Sequence, residues 1–357
     1  MPAPTAVIAG LGACLPARRI TNEQLENGLH TSDAWIRQRT GIGSRHWAEP
    51  GTSTADLAVT AGRSALASAQ TTTTDLVIVA TTTPDHRCPA TAPQVAWRLG
   101  LVETPAFDLA AVCSGFVYAL SMASAAIRAQ AQHQVLVIGA DTYSTIIDPQ
   151  DRTCAVIFGD GAGAALVRRG AVDEPGALTA FDLGSEGEHS NLVRIDAGGS
   201  RHPDPDGHAS REERYFRMHG SAVFHQAVRR MTASSQATLR RAGWATDSIE
   251  AFIGHQANQR ILDTVADRLA IPADHRFGNL AAVGNTAAAS IPLALTDAAA
   301  RQAVRPGART LLTAFGGGLA WGSAALTWPD VQPELPALYE PGAIDNRQEP
   351  PTSKSAP

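Results

Sequence analysis

Two stretches of this chain, about 170 residues apart, read as copies of each other, and a repeat of that kind confines the fold to two similar halves. The first runs Thr74-Asp75-Leu76-Val77-Ile78-Val79-Ala80, then Val95-Ala96-Trp97-Arg98-Leu99-Gly100, then Phe107-Asp108-Leu109-Ala110-Ala111-Val112-Cys113. The second runs Thr246-Asp247-Ser248-Ile249-Glu250-Ala251-Phe252-Ile253-Gly254-His255, then Val265-Ala266-Asp267-Arg268-Leu269-Ala270, then Phe277-Gly278-Asn279-Leu280-Ala281-Ala282-Val283-Gly284-Asn285. A third echo sets 135–140 against 310–315. One copy ends in Cys113 and the other carries His255 and Asn285. A duplicated α/β unit is expected to bring these three together across a pseudo-twofold axis, which is a catalytic arrangement.

A chain of 357 residues has room for two fused halves and a large core. The net charge of −5 argues against nucleic acid as main partner. Cys14, Cys88, Cys113 and Cys154 form no CxxC pair and no metal-ligand spacing, so a reduced, cytoplasmic protein is expected. The N-terminal stretch Ala6-Val7-Ile8-Ala9-Gly10-Leu11-Gly12 reads as a strand rather than a signal peptide. No apolar run approaches the ~18 residues that a membrane span needs.

The unbroken apolar runs 76–80, 135–139 and 155–158 read as strands buried on both faces of a mainly parallel sheet. Residues 53–69 place Leu57, Ala61, Ala65 and Leu66 on one helical face, and 115–128 reads as a second helix. The expected division is an N-terminal half over 1–175, a polar connecting loop over 176–217 and a C-terminal half over 218–328. The stretch 329–357, with seven prolines in 29 residues, is expected to be a disordered tail.

Cys113 ends a strand and opens a helix. Free N–H groups and the helix dipole there favour a thiolate below the free value of about 8.5. A small cysteine packed under the sheet fits the same position. His255 follows a buried strand, at the sheet edge where open α/β folds place ligands, although a lone histidine there is often structural. Asn285 after Gly284 reads equally as a turn residue. Gly316-Gly317-Gly318 can turn the chain or present N–H groups to an oxyanion. Their conjunction at matched places of a repeat favours chemistry.

Several stretches together resemble the β-ketoacyl-acyl-carrier-protein synthase III family of the thiolase superfamily, over about 5–328. They are Thr31-Ser32-Asp33-Ala34-Trp35-Ile36, Arg39-Thr40-Gly41-Ile42, Ala111-Val112-Cys113-Ser114-Gly115-Phe116, Asp151-Arg152, Phe158-Gly159-Asp160-Gly161-Ala162-Gly163, His255-Gln256-Ala257-Asn258, Gly284-Asn285-Thr286 and Phe315-Gly316-Gly317-Gly318. The resemblance implies a homodimer of duplicated thiolase-fold halves in a five-layer α/β/α/β/α arrangement. It implies that Cys113 takes an acyl group from acyl-CoA, with the Cys113 and Gly317 amides as oxyanion hole. His255 and Asn285 would then stabilise the enolate left when a malonyl thioester loses CO2. No metal and no permanently bound cofactor is implied; acyl-CoA is substrate. Thr31, Trp35, Arg39, Arg152, Gly220, Phe224, Ala257 and Asn258 would contact CoA, with Trp35 and Arg152 sandwiching the adenine. Tyr143 and Phe158 would line the acyl pocket.

The match departs at three places. Cys88 stands where a bulkier partner-subunit residue often closes the acyl pocket, so a larger starter is expected unless Tyr143 refills the space. The basic surface for an acyl carrier protein is thinned to Arg260 and Arg268, with His225 and Asp267 at positions often lysine. The Pro-rich tail lies outside the family core. A specialised member, including one that passes its acyl group to a hydroxyl or amine, is the alternative reading. Papain-like proteases share the order Cys, His, Asn but leave the repeat unexplained. A biosynthetic thiolase needs a second cysteine in the C-terminal half, and none follows Cys154. Hydroxymethylglutaryl-CoA synthase wants a glutamate near Thr81-Thr82-Thr83, where there is none. A catalytically silent homologue would be expected to lack one of the three residues.

Overall fold

Apolar runs without alternation need cover on both faces, and the computed structural model, which describes residues 4–341, supplies it. The first half runs β1 (Thr5–Pro16), α1 (Asp33–Thr40), α2 (Thr54–Ser68), β2 (Val77–Ala80), α3 (Ala92–Arg98), β3 (Ala106–Leu109), α4 (Gly115–Arg128), β4 (Gln134–Asp141) and β5 (Gly161–Gly170). The second runs β6 (Leu178–Ser185), α5 (Gly220–Ala242), β7 (Ala251–Gly254), α6 (Gln259–Arg268), α7 (Ser290–Ala300), β8 (Arg309–Gly316) and β9 (Ala320–Thr327). A last short strand, β10 (Ala337–Tyr339), returns to pair in parallel with β1.

Strand order shows the duplication directly. The first sheet reads β10-β1-β5-β4-β2-β3 and the second β6-β9-β8-β7. In each, a parallel pair (β2 with β4, β7 with β8) is flanked by an antiparallel strand, β5 beside β4 and β9 beside β8. The place of β3 is held in the second half by a single bridge between Phe252 and Arg276. Helices α2 and α3 pack on the outer face of the first sheet, through Leu57, Ala61 and Val95. Helices α5 and α6 pack on the outer face of the second, through Met231, Leu239 and Val265. Between the sheets lie α4 and α7, whose Phe116, Leu120, Ile291 and Leu295 join strand residues of both halves in one core. The result is the five-layer thiolase-type arrangement. Among the described residues no helix is long and apolar enough to cross a membrane.

Each central helix is entered through the same strained turn. Val112 precedes α4 and Ala287 precedes α7, both at φ 48°, a left-handed value uncommon for residues other than glycine. Short 3-10 turns, Val112–Ser114 and Ala287–Ala289, follow. The structural counterpart of Cys113 is therefore Ala288. The Leu280–Val283 echo, aligned by sequence with Leu109–Val112, is instead a separate short helix. Glycines let these turns approach the opposite half. A Cβ on Gly139 of β4 would collide with the Ala288 carbonyl oxygen, and one on Gly163 of β5 would lie 2.7 Å from the Pro292 Cβ.

Three sequence expectations need correction. Residues 178–185, assigned to the connecting loop, form β6 at the edge of the second sheet, so that half starts well before 218. The run 155–158 is no strand: helix Arg152–Ala155 ends there, and Phe158 makes one bridge, to Asn285. The Pro-rich stretch is ordered through β10, with Val331 packed on the central core; residues 342–357 lie outside the described residues.

Gly139→Ala should destabilise the protein by about 1–3 kcal/mol, as overpacking against backbone does. Gly220→Ala, where a Cβ meets nothing within 4 Å, should leave stability near wild type in the same urea titration.

Candidate active site

The chain folds back so that Cys113, His255 and Asn285 face one cavity. Cys113 comes from the turn into α4, His255 from just beyond β7, and Asn285 from the segment before α7. All three line a small, largely apolar cavity of about 50 Å³, with Gly316 and Gly317 in its wall. They are 9%, 3% and 5% exposed, so the site is nearly dry.

Local bonds fix each group. The His255 amide donates to Thr313 O on β8 at 2.8 Å, and its Nδ1 lies 2.6 Å from Ser290 Oγ at the start of α7. Only Nε2 is left for the cavity. Asn285 Oδ1 accepts from the Ala287 amide at 2.9 Å, so its NH2 end is the free one. The Asn285 backbone is clamped on both sides, donating to Ile157 O and accepting from Gly159 N, both at 2.9 Å. The Cys113 amide faces Gly316, where a Cβ would come within 2.8 Å of its nitrogen. The Ala288 amide, its counterpart, is taken by the Asp141 carboxylate at 2.9 Å.

Burial sets the protonation states. It pushes the Cys113 thiol up, with the nearby Asp141 carboxyl adding to the effect, the opposite of the depression expected at a helix start. Burial likewise pulls His255 down to about 3. The resting pair is a neutral thiol beside a neutral imidazole.

The other sequence candidates lie along the cavity wall and the surface around it. Trp35, Phe224 and Ala257 pack on the outer core of the second half, which also supplies Met231, Ile261 and Phe315 to the cavity wall. Arg39 and Arg152 both place their guanidinium 5.2 Å from the Trp35 ring centre, and Arg152 also donates to His30 O. Thr31 has a buried hydroxyl without a partner among the described residues, and Gly220 opens α5. Asn258 caps α6 through its Oδ1 and donates to Arg39 O at 3.0 Å, tying α6 to α1. Arg260 and Arg268 are exposed on α6. Tyr143 and Phe158 are stacked in the buried cluster that contains Cys113, whereas Cys88 is exposed and apart from it within the chain. Sequence reading missed Ser290, Asp141 and Phe216. None of them sits in a motif, and only the fold brings them to the cavity or its walls.

The His255 shift has a measurable consequence. Unfolded, this histidine takes a proton below about pH 6.5; folded, it stays neutral down to about 3, so the unfolded state binds the extra proton. Stability must fall with pH in that window, by about 1.4 kcal/mol per unit for this group. Between pH 7 and 5, His255→Asn should lose about 2 kcal/mol less stability than wild type in urea unfolding. Equal losses would contradict the neutral, buried imidazole.

Comparison with known proteins agrees with this geometry. The family model described as 3-oxoacyl-(acyl-carrier-protein) synthase III matches residues 107–187, and its C-terminal companion matches 239–328. The chain is 57% identical over 331 residues to beta-ketoacyl-(acyl-carrier-protein) synthase III 5 of Streptomyces coelicolor, covering 91% of this chain and 98% of that one. It is 48% identical to the Pseudomonas aeruginosa beta-ketoacyl-(acyl-carrier-protein) synthase III, covering 92% and 98%. The crystal structure of a Pseudomonas aeruginosa 3-oxoacyl-(acyl carrier protein) synthase III superposes with a TM-score of 0.86 at 46% identity, covering 92% of this chain and all of that one. The priming β-ketosynthase of a polyketide biosynthetic pathway superposes at 0.85 with 33% identity, covering 91% and 97%. The chain belongs to the β-ketoacyl-acyl-carrier-protein synthase III family, the condensing acyltransferases of the thiolase superfamily.

Proposed function

We propose that this enzyme loads an acyl group from acyl-CoA onto Cys113 and condenses it with a malonyl thioester, giving a β-ketoacyl product that begins a fatty acid or polyketide chain. The observation that carries this reading is the single dry cavity shared by Cys113, His255 and Asn285. The Cys113 sulfur attacks the thioester carbonyl, and the CoA thiol leaves with the cysteine proton. The developing oxyanion is held by the Cys113 and Gly317 amides; the missing side chain of Gly316 leaves the first of them open.

In the second half-reaction the carboxylate of the malonyl group departs as CO2, and its electron pair becomes an enolate. Two neutral donors suit that charge better than a base would, since no proton has to be removed. In this reading Ser290 Oγ accepts from the Gln256 amide and donates its own proton to His255 Nδ1, with the imidazole hydrogen on Nε2. Nε2–H and the Asn285 NH2 then converge on the thioester oxygen. The enolate carbon attacks the acyl-Cys113 carbonyl, forming the carbon–carbon bond and releasing the sulfur as a thiolate, which takes a proton from water to restore the resting thiol.

CoA enters, in this reading, over the platform of Trp35, Arg39 and Arg152, with Thr31, Gly220, Phe224, Ala257 and Asn258 along the arm. Arg260 and Arg268 on α6 present positive charge to an acyl carrier protein. A homodimer is supported by the free edge of β3, which ends the first sheet beside the exposed Trp97 and Phe107. A cytoplasmic location belongs to the same reading.

Intact-protein mass spectrometry with an acyl-CoA panel should give one acyl adduct, lost in Cys113→Ala. Asn285→Ala should keep the adduct but slow malonyl decarboxylation by at least a hundredfold, the scale of a lost transition-state donor. Discharge of the adduct by a hydroxyl or amine acceptor, with malonyl thioesters inert, would replace condensation by simple acyl transfer.

A further inference from the structure

Behind Cys113 the cavity ends in a cluster of rings. Tyr143 stacks on Phe158 with centroids 4.7 Å apart and planes 13° from parallel. Phe216 meets both edge-on, at 5.4 and 5.1 Å. Cys113, Ile147, Cys154 and Ala287 complete the cluster. Within the chain, Tyr143 and Phe216 narrow the space behind Cys113.

Two hydroxyls in this apolar setting face each other without a well-formed hydrogen bond. The Tyr143 OH and the Thr82 Oγ1 are both buried and without a hydrogen-bond partner among the described residues. A buried tyrosine normally finds a partner for its hydroxyl, so a pair left open is a site in want of a ligand atom. The run Thr81-Thr82-Thr83 explains how Thr82 comes to be free. Thr81 and Thr83 turn their hydroxyls to Asp141, at 3.3 and 3.2 Å, and Thr82 gives that carboxylate only its amide, at 2.7 Å. Its side chain is left to the other face. There Thr82 lines an open groove with Thr145, Ile146 and Ile195, and both isoleucines pack against the ring cluster. Burial, with the Cys113 sulfur as the next cause, holds the phenol proton on Tyr143, so it remains a donor.

We propose that Tyr143 and Thr82 recognise an oxygen on the acyl starter, so that the preferred acyl group is a hydroxyacyl or ketoacyl chain rather than a plain alkyl one. This rests on the acyl-CoA-primed reading above. The ligand oxygen is neutral, because the two hydroxyls supply no positive charge and Asp141 lies just beyond them. A site built around buried hydroxyls rejects an analogue that leaves them unpaired more strongly than an apolar pocket rejects an added hydroxyl.

The test compares Cys113 acylation by 3- and 4-hydroxybutyryl-CoA and acetoacetyl-CoA with acylation by butyryl-CoA, following the adduct by intact mass. Wild type should favour at least one oxygenated starter by tenfold or more in kcat/KM. Tyr143→Phe and Thr82→Val, which remove the polar atoms and keep the volume, should bring that ratio to within about twofold of one. A wild-type ratio near one, as a trapped water satisfying both hydroxyls would give, overturns the proposal, as does a preference that survives in both variants. Absence of any adduct at Cys113 would instead strike the underlying reading, so the two failures are told apart by the butyryl arm.

Discussion

Everything in the site depends on how closely two strained turns approach across the pseudo-twofold axis. The turn at Ala288 lies on Gly139 and the following helix on Gly163, so the missing side chains of one half make room for the other. The turn at Cys113 lies in the same way on Gly316. With side chains at these glycines, β4 and α7 would separate, and the cavity between Cys113, His255 and Asn285 would open to water. Protein interiors tolerate little such displacement, because their packing density leaves no slack. Position, here, is a consequence of absent atoms.

Dryness then decides the chemistry. The same burial that raises the thiol lowers the imidazole, so the two groups do not form an ion pair at rest. A charged pair would cost desolvation energy that this apolar wall cannot return. A neutral imidazole with one nitrogen engaged by Ser290 is a fixed dipole, and so is the Asn285 amide held by Ala287. Fixed dipoles in a low-dielectric site need no reorganisation when negative charge develops between them. The helix dipole at Cys113 acts in the same direction once the sulfur or the carbonyl oxygen carries charge, even though it does not outweigh burial beforehand.

Much of this was legible in the sequence because buried strands and amphipathic helices have strong periods. The helix over 115–128 matches to the residue, the strand at 77–80 follows from its apolar run, and the one at 251–254 from its place in the repeat. What failed had a physical reason in each case. β6 is an edge strand with half its residues partly covered, so its Leu178-Thr179-Ala180-Phe181-Asp182 pattern looks like a polar loop. Leu280–Val283 repeats the letters of the Cys113 strand, yet the true equivalence, Ala287 with Val112, is carried by backbone dihedrals that leave no trace in residue type. Thiol acidity was inferred from the helix start alone, and burial could not be read before the packing was known. Phe216 lies beyond any periodic element, so nothing in the chain announced that it would reach Tyr143.

The duplicated frame also divides labour in a way that single motifs hide. Each half opens with a strand, β1 or β6, and closes its first crossover with a long helix, α2 or α5. Between them the first half inserts residues 17–53 and the second 186–219. The former carries α1 with Trp35 and Arg39; the latter carries Val193, Phe216 and Met218, which wall the cavity. The reactive groups, by contrast, all come from the frame itself, at strand ends or helix starts. Insertions can change without moving the frame, because loop elongation costs little once the flanking elements are packed. The chemistry is thereby fixed by the repeat while the shape of the acyl chamber is free to vary, and in this chain the second insertion adds Phe216 to the frame's own Tyr143 and Phe158.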